Sequence, residues 1–300
     1  MEAAPIVLFT YKRLDSLEKS MASLAACDLA ARSELIVFSD APKNDSDIEK
    51  VTAVRSFLHN IKGFKTVRVI ERTGNLGVDY NLINGLSEIA SLHEKFIVIE
   101  DDLLYAKNFL VFLNKALDYY QHYPEVFNIS AFSFINKIPV DYRYDAYFTR
   151  RSWTWGWAGW GHKMTGIDWE VKEYPMFKKD KALQAAFNES GGSDLSKMLY
   201  NTMEGIIRTW DVRMFYHQFR NKSFTLYPTK SKVVNIGFHG EGSHTFGYNR
   251  YKTSLDDSNK NEFNFPETSM PDERLNAAFL RRNNVVNRVM TRVYSMMGIK

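Results

Sequence analysis

The 300-residue chain has a single cysteine, Cys27. It cannot close an internal disulfide, which points to a reducing, cytoplasmic setting. Long apolar runs are also missing: none approaches the roughly 18 residues that a membrane span requires, and the longest are strand-sized, such as Phe96-Ile97-Val98-Ile99. The N-terminus lacks the charged and apolar regions of a signal peptide, and a strand-like run starts at Pro5. No internal repeat or low-complexity linker occurs, so the second half reads as a lobe built onto the first. With 45% hydrophobic and 14% aromatic residues, disorder is excluded.

Excess charge is small, 39 basic against 35 acidic residues for a net of +4. All of it lies in 271–300, where Arg274, Arg281, Arg282, Arg288, Arg292 and Lys300 face only Asp272 and Glu273. The rest of the chain is balanced, unlike a nucleic-acid binder with a basic footprint on its folded body.

The first half alternates strand and helix signals. Apolar runs at 6–9, 35–38, 67–70 and 96–99 read as strands. Helical spacing follows them at 14–25, about 46–60, 78–90 and 109–120, the last marked by Phe109, Phe112, Leu113, Ala116, Leu117 and Tyr120. This pattern predicts an α/β fold with a mostly parallel sheet flanked by helices. Ligands in such sheets sit outside the carboxyl ends of the strands. That rule selects Thr10-Tyr11-Lys12-Arg13, Ser39-Asp40, Thr73-Gly74-Asn75-Leu76-Gly77 and Glu100-Asp101-Asp102. Later, 126–134 reads as a strand, 194–209 as a helix, 224–234 as two short strands and 235–270 as loop.

Three adjacent carboxylates at a strand end repel one another, and a divalent cation is the simplest compensation. A solvated acidic turn is the alternative. The strand Phe96-Ile97-Val98-Ile99-Glu100-Asp101-Asp102-Leu103, with Asn108-Phe109 opening a helix, resembles the metal-binding strand of GT-A glycosyltransferases. The triplet is similar to the Glu-Asp-Asp form found in N-acetylglucosaminyltransferase I. Trp210-Asp211 resembles the segment bearing the base of that enzyme, although Val212 stands where the family has a second acid. Pro228, Val234-Asn235-Ile236-Gly237-Phe238 and Ser243-His244-Thr245 resemble the closing segment of family-2-like bacterial sugar transferases.

The resemblance implies a GT-A (nucleotide-diphospho-sugar transferase) fold with Mn2+ or Mg2+ as cofactor. Asp102 would be the direct metal ligand, Glu100 would act through metal-bound water and Asp101 through the sugar or ribose. Thr10 joins the donor site, Tyr11, Arg13 and Asp40 would bracket the nucleotide base, and Asn75 lies in a turn that approaches the donor or simply folds back. Asp40 is equally an ordinary turn residue in Ser-Asp-Ala-Pro. Asp211 is the expected base or a helix cap, with Glu204 as the runner-up.

Trp153, Trp155 and Trp157 fall on one side of an extended segment. Aromatic faces among small residues suit stacking on an acceptor sugar, or they plug the core. Arg150 and Arg151 are candidates for the donor diphosphate, as is His244; paired arginines are also common at surfaces. The tail repeats apolar residues at helical spacing from Leu275 to Met297 with arginines beside them. Such a helix packs on the body, on a second subunit of a homo-oligomer, or on an anionic membrane.

The organisation expected is 1–123 as the nucleotide-sugar-binding half, 124–270 as the acceptor-binding and catalytic half of the same domain, and 271–300 as a basic amphipathic helix. The function expected is a metal-dependent, inverting transfer from a nucleotide sugar, UDP-linked, to a glycan or lipid-linked acceptor in cell-surface polysaccharide synthesis, in the cytoplasm or peripherally on the inner face of the membrane. The alternatives are a sugar-phosphate nucleotidyltransferase, which calls for a Gly-rich basic loop after the first strand, and a noncatalytic carbohydrate-binding or membrane-docking protein.

Overall fold

The computed structural model describes residues 2–237 and 248–297. The first half folds as Ile6–Thr10 (β1), Leu14–Ala25 (α1), Glu34–Ser39 (β2), Asp45–Leu58 (α2), Thr66–Glu71 (β3), Gly77–Leu92 (α3), Lys95–Glu100 (β4), Leu103–Tyr105 (β5) and Phe109–Tyr120 (α4). The second continues with Val126–Ser130 (β6), Ala146–Thr149 (β7), Trp157–Trp160 (β8), Gly161–Met164 (α5), Tyr174–Phe177 (α6), Lys181–Gly191 (α7), Leu195–Met203 (α8), Asp211–Arg220 (α9), Phe224–Pro228 (β9) and Val233–Asn235 (β10). Glu273–Arg282 (α10) and Val285–Met296 (α11) close the chain.

Among the described residues, eight strands form one sheet in the order β3-β2-β1-β4-β8-β6-β9-β7. The first four are parallel. β8 runs antiparallel between β4 and β6, β9 lies parallel to β6, and β7 is an antiparallel edge. The sheet is therefore parallel in its first half and mixed in its second. Side chains alternate across it as the two-residue strand period requires. Ile6, Leu8, Leu35, Val37, Ile97 and Ile99 join one core with α1, α2 and α4. Val7, Ile36, Phe38, Phe96 and Val98 join the other with α3, α8 and α9.

A small antiparallel pair, β5 with β10, sets Leu103 opposite Asn235 and draws the later chain across the end of β4. The tail departs from the single helix expected. Asn283 is buried, donates to Phe279 O at 3.1 Å and accepts from the Tyr251 hydroxyl at 2.7 Å. Asn284 then caps α11 by accepting from Asn287 N at 2.9 Å. Side chains that bind backbone in this way compete with helix continuation, so the Asn-Asn pair splits the segment in two.

Candidate active site

β4 ends at Glu100, and Asp101 and Asp102 turn the chain into β5. The neighbouring tip of β1 supplies their partners. The Thr10 hydroxyl donates to Asp101 Oδ2 at 3.2 Å, and the Arg13 guanidinium bridges Asp101 Oδ1 and Asp102 Oδ2, the latter at 3.0 Å. Both aspartates are buried. Burial pushes Asp101 up to about 6 against the pull of Arg13. Glu100 is pushed well above the usual carboxylate range, first by burial, then by Asp102, with Arg13 opposing and Asp101 and Asp211 adding to the rise. Its backbone is fixed by Tyr105, whose hydroxyl donates to Glu100 O at 3.3 Å.

The segment after β10 forms a second wall. Asn235 Nδ2 donates to Asp102 Oδ1 at 3.3 Å, Ile236 N donates to Asp102 O at 2.8 Å, and Gly237 N donates to Asn235 Oδ1 at 2.7 Å. A Cβ on Gly237 would stand 2.3 Å from Asp102 Oδ2, so the absence of a side chain permits this approach.

Asp211 enters from the start of α9. It accepts from the Thr209 hydroxyl, and its charge is felt by both Glu100 and Arg151. The turn that carries it is anchored by buried Trp210, whose ring lies 6.4 Å from Trp157 and 6.5 Å from Trp169. Arg208 reaches the start of α3, with Nη1 3.8 Å from the position of a Cβ on Gly77.

Glu100, Asp101 and Asp102 thus lie together at this turn with Arg13 bridging the two aspartates, and Asp211 bears on Glu100 through its charge. Among the described residues no group of three or more His, Cys, Asp or Glu forms a metal cage on its own. A hard divalent cation of the magnesium or manganese kind takes only one or two carboxylates and completes its shell with substrate phosphates; Asp102 would join such a shell in exchange for its contacts with Arg13 and Asn235.

Other sequence candidates take different places. Asp40 is buried and already accepts four N–H groups: Ala41 N and Leu76 N at 2.9 Å on Oδ1, Gly77 N at 2.9 Å and Asn75 Nδ2 at 3.2 Å on Oδ2. It ties the tip of β2 to the start of α3, and Asn75 reinforces the tie by donating to Ala41 O at 2.7 Å. The Tyr11 hydroxyl donates to Asp47 at 2.7 Å and accepts from Lys43 N; burial and Asp47 push it up to about 12. Arg13 is turned away from Tyr11 onto the acidic pair.

Arg150 lies at the opposite edge of the sheet from Glu100. It follows Thr149, which pairs with Thr225 near the start of β9, and β9 runs in the direction of β4. The Arg150 guanidinium sits 5.0 Å over the Phe224 ring and lines an open pocket of about 350 Å³. Arg151 is buried in a two-pronged pair with Asp194 at 3.0 and 3.2 Å. The expectation that Trp153, Trp155 and Trp157 share a side also changes. Gly156 adopts φ +63°, which breaks the extended alternation. Trp153 and Trp155 pack with Phe132 and Tyr251, whereas Trp157 is fully buried on the other face against Phe96. Trp155 alone of the three is more than marginally exposed. Glu204 is exposed and bound to Tyr174 and Lys178. His244 lies outside the described residues.

Sequence reasoning passed over Arg208, Asn235 and Gly237 as site residues. The signal for Arg208 was its place three residues before Asp211; that for Asn235 and Gly237 was their presence in the closing segment, which only the β5–β10 pairing brings to Asp102.

Compared with protein-family models and with curated protein sequences, the chain matches none. Among solved structures it is similar to a mannosyltransferase, PcManGT from Pyrobaculum calidifontis in complex with GDP-Man and Mn2+, at 14% identity and TM-score 0.43, over 74% of this chain and 69% of that one. It is also similar to residues 1–349 of S. aureus TarS in complex with UDP-GlcNAc, at 12% identity and TM-score 0.43, over 77% of this chain and 57% of that one. A third is mouse xyloside xylosyltransferase 1 in its apo form, at 10% identity and TM-score 0.37, over 72% and 80%. Likenesses this distant do not assign an activity.

Proposed function

We propose that the chain is a metal-dependent, inverting glycosyltransferase of the GT-A type. It moves a sugar from a nucleotide sugar, UDP-linked in our reading, to a glycan or lipid-linked acceptor of a cell-surface polysaccharide. The observation that supports this most strongly is the acidic turn at the carboxyl end of β4, where buried Asp101 and Asp102 are held by Thr10 and Arg13 from the tip of β1 and Asp102 is met by Asn235 from β10.

In this reading Asp102, with Glu100 beside it, would hold the cation, which would supply charge stabilisation for the departing diphosphate. Arg13 keeps the two buried aspartates oriented. Arg208, which precedes α9 and reaches toward Gly77 at the start of α3, replaces Arg150 as the guanidinium offered to the diphosphate. Asp211 takes the proton of the acceptor hydroxyl as that oxygen attacks the sugar carbon, and the Thr209 hydroxyl orients its carboxylate. Attack from the side opposite the leaving group inverts the anomeric centre. Trp155 is assigned to the acceptor ring, because Trp153 and Trp157 are enclosed in the two cores. A nucleotidyltransferase is disfavoured because Tyr11, Lys12 and Arg13 after β1 are committed to Asp47, Asp101 and Asp102.

Asp211→Asn tests the assignment. Loss of a general base lowers turnover by about 10²- to 10⁴-fold, while the donor-induced thermal shift and the melting temperature stay at wild-type values. Turnover retained within a few-fold would remove Asp211 from the mechanism.

A further inference from the structure

The two tail helices bury opposite kinds of surface. α10 turns its apolar side inward: Leu275 and Phe279 are buried, with the Phe279 ring 4.9 Å from Phe134 and 5.4 Å from Tyr227. α11 does the reverse, and none of its residues is buried. Its polar side meets the body. Arg288 Nη1 donates to Ser193 O at 3.1 Å, Ser295 Oγ accepts from Tyr248 N at 2.9 Å, and the Tyr294 ring lies 5.0 Å from Tyr248. Its apolar side faces outward: Val285, Val286, Val289, Met290 and Met296 are exposed, Val286 at 67% and Met296 at 80%. At 100° per residue these five fall within one arc of the helix.

Charge identifies what this side fits. Residues 274–297 contain five arginines and no acidic residue. Arg292 is exposed beside the apolar arc and Arg281 is exposed at the end of α10, whereas Arg274 and Arg288 are engaged with Asp141 and Ser193. A contiguous outward apolar stripe accompanied by exposed guanidinium groups suits a surface that is apolar within and anionic at its boundary. A second copy fits poorly, because a two-fold contact on this stripe would bring like arginines together. Among the described residues no helix is long and apolar enough to cross a membrane, so the contact is parallel to the surface.

We infer that α11 is a docking helix for an anionic lipid bilayer, laid in the headgroup region by its valine and methionine side and held there by Arg281 and Arg292, while α10 clamps it to the body. This inference stands independently of the proposed activity, since it needs no turnover.

The test is co-sedimentation of the full chain with phosphatidylglycerol/phosphatidylcholine vesicles and with pure phosphatidylcholine vesicles, alongside sedimentation velocity without lipid. The wild type partitions to the anionic vesicles, more weakly at high salt. Val286→Asp with Val289→Asp lowers the partition constant by more than tenfold. Arg281→Gln with Arg292→Gln lowers it by about fivefold per arginine, the worth of one basic residue at an anionic surface. Melting temperatures stay unchanged, because all four side chains are outside the core. Equal partition to both vesicle types, partition untouched by either pair, or a lipid-free dimer that the Val→Asp pair dissolves without any vesicle binding would overturn the inference.

Discussion

Asp40→Asn separates a folding role from a ligand role at the tip of β2. In the wild type each carboxylate oxygen accepts two N–H donors at 2.9–3.2 Å. An asparagine keeps one acceptor and turns an NH2 group toward the other two donors, whichever way the amide is flipped. Two charge-assisted bonds are lost and their buried donors go unsatisfied, at about 1–2 kcal/mol each, so the variant is destabilised by about 2–4 kcal/mol. With an unfolding entropy near 2.1 cal/mol/K per residue, the 300-residue chain loses about 3–6 °C of melting temperature. Differential scanning fluorimetry without ligand reads this directly. If the melting temperature stays within about 1 °C and only nucleotide-sugar affinity falls, the four-donor tie is not what Asp40 does, and it binds the donor base instead.

Asp256 and Lys232 form an ion pair with both side chains buried. Burial alone would raise Asp256, but Lys232 and Asn108 hold it well below its ordinary 3.8. Its contribution is therefore complete above about pH 4 and is lost as the pH falls toward the lower folded value. Asp256→Asn, which strands a buried ammonium, destabilises by about 3–5 kcal/mol at pH 7, flattens the acid limb of the stability curve and is partly rescued by Lys232→Met; an unchanged acid limb refutes the pairing. Gly237→Ala, whose Cβ would overlap Asp102 Oδ2 at 2.3 Å, shifts the wall beside Asp102 by about an ångström and lowers turnover about a hundredfold, with little change in melting temperature; wild-type turnover would show that this approach is not needed. Trp157→Ala costs about 3–5 kcal/mol in urea unfolding and Trp155→Ala much less, while only the latter raises the acceptor KM; equal losses of stability contradict their placement on opposite faces.

The parallel half was legible from sequence because each element carries its own period. The run 96–99 lies within Lys95–Glu100, and the periodicity at 109–120 matches Phe109–Tyr120. The second half is built from contacts that local patterning does not encode. α9 was missed because buried Gln218 interrupts its apolar side, and its reason for burial is the network with Ser152 and Thr225, 66 and 7 residues away. Gly156 redirected Trp157 through a positive φ that an alternation argument assumes away. Arg150 was misplaced because β7 runs against β9 and ends at the far edge of the sheet. The acidic triplet stood out as residues, but its Arg13 bridge and its Gly237 wall exist only once β1 and β10 are laid beside it.

The central claim is that this acidic turn binds a divalent cation together with a nucleotide sugar. A thermal-shift panel of nucleotide sugars with Mn2+, repeated on Asp102→Ala, addresses it most directly. The account predicts stabilisation by a UDP-sugar that requires Mn2+ and disappears in the variant. No shift with any donor, or a shift that Asp102→Ala leaves intact, would contradict it.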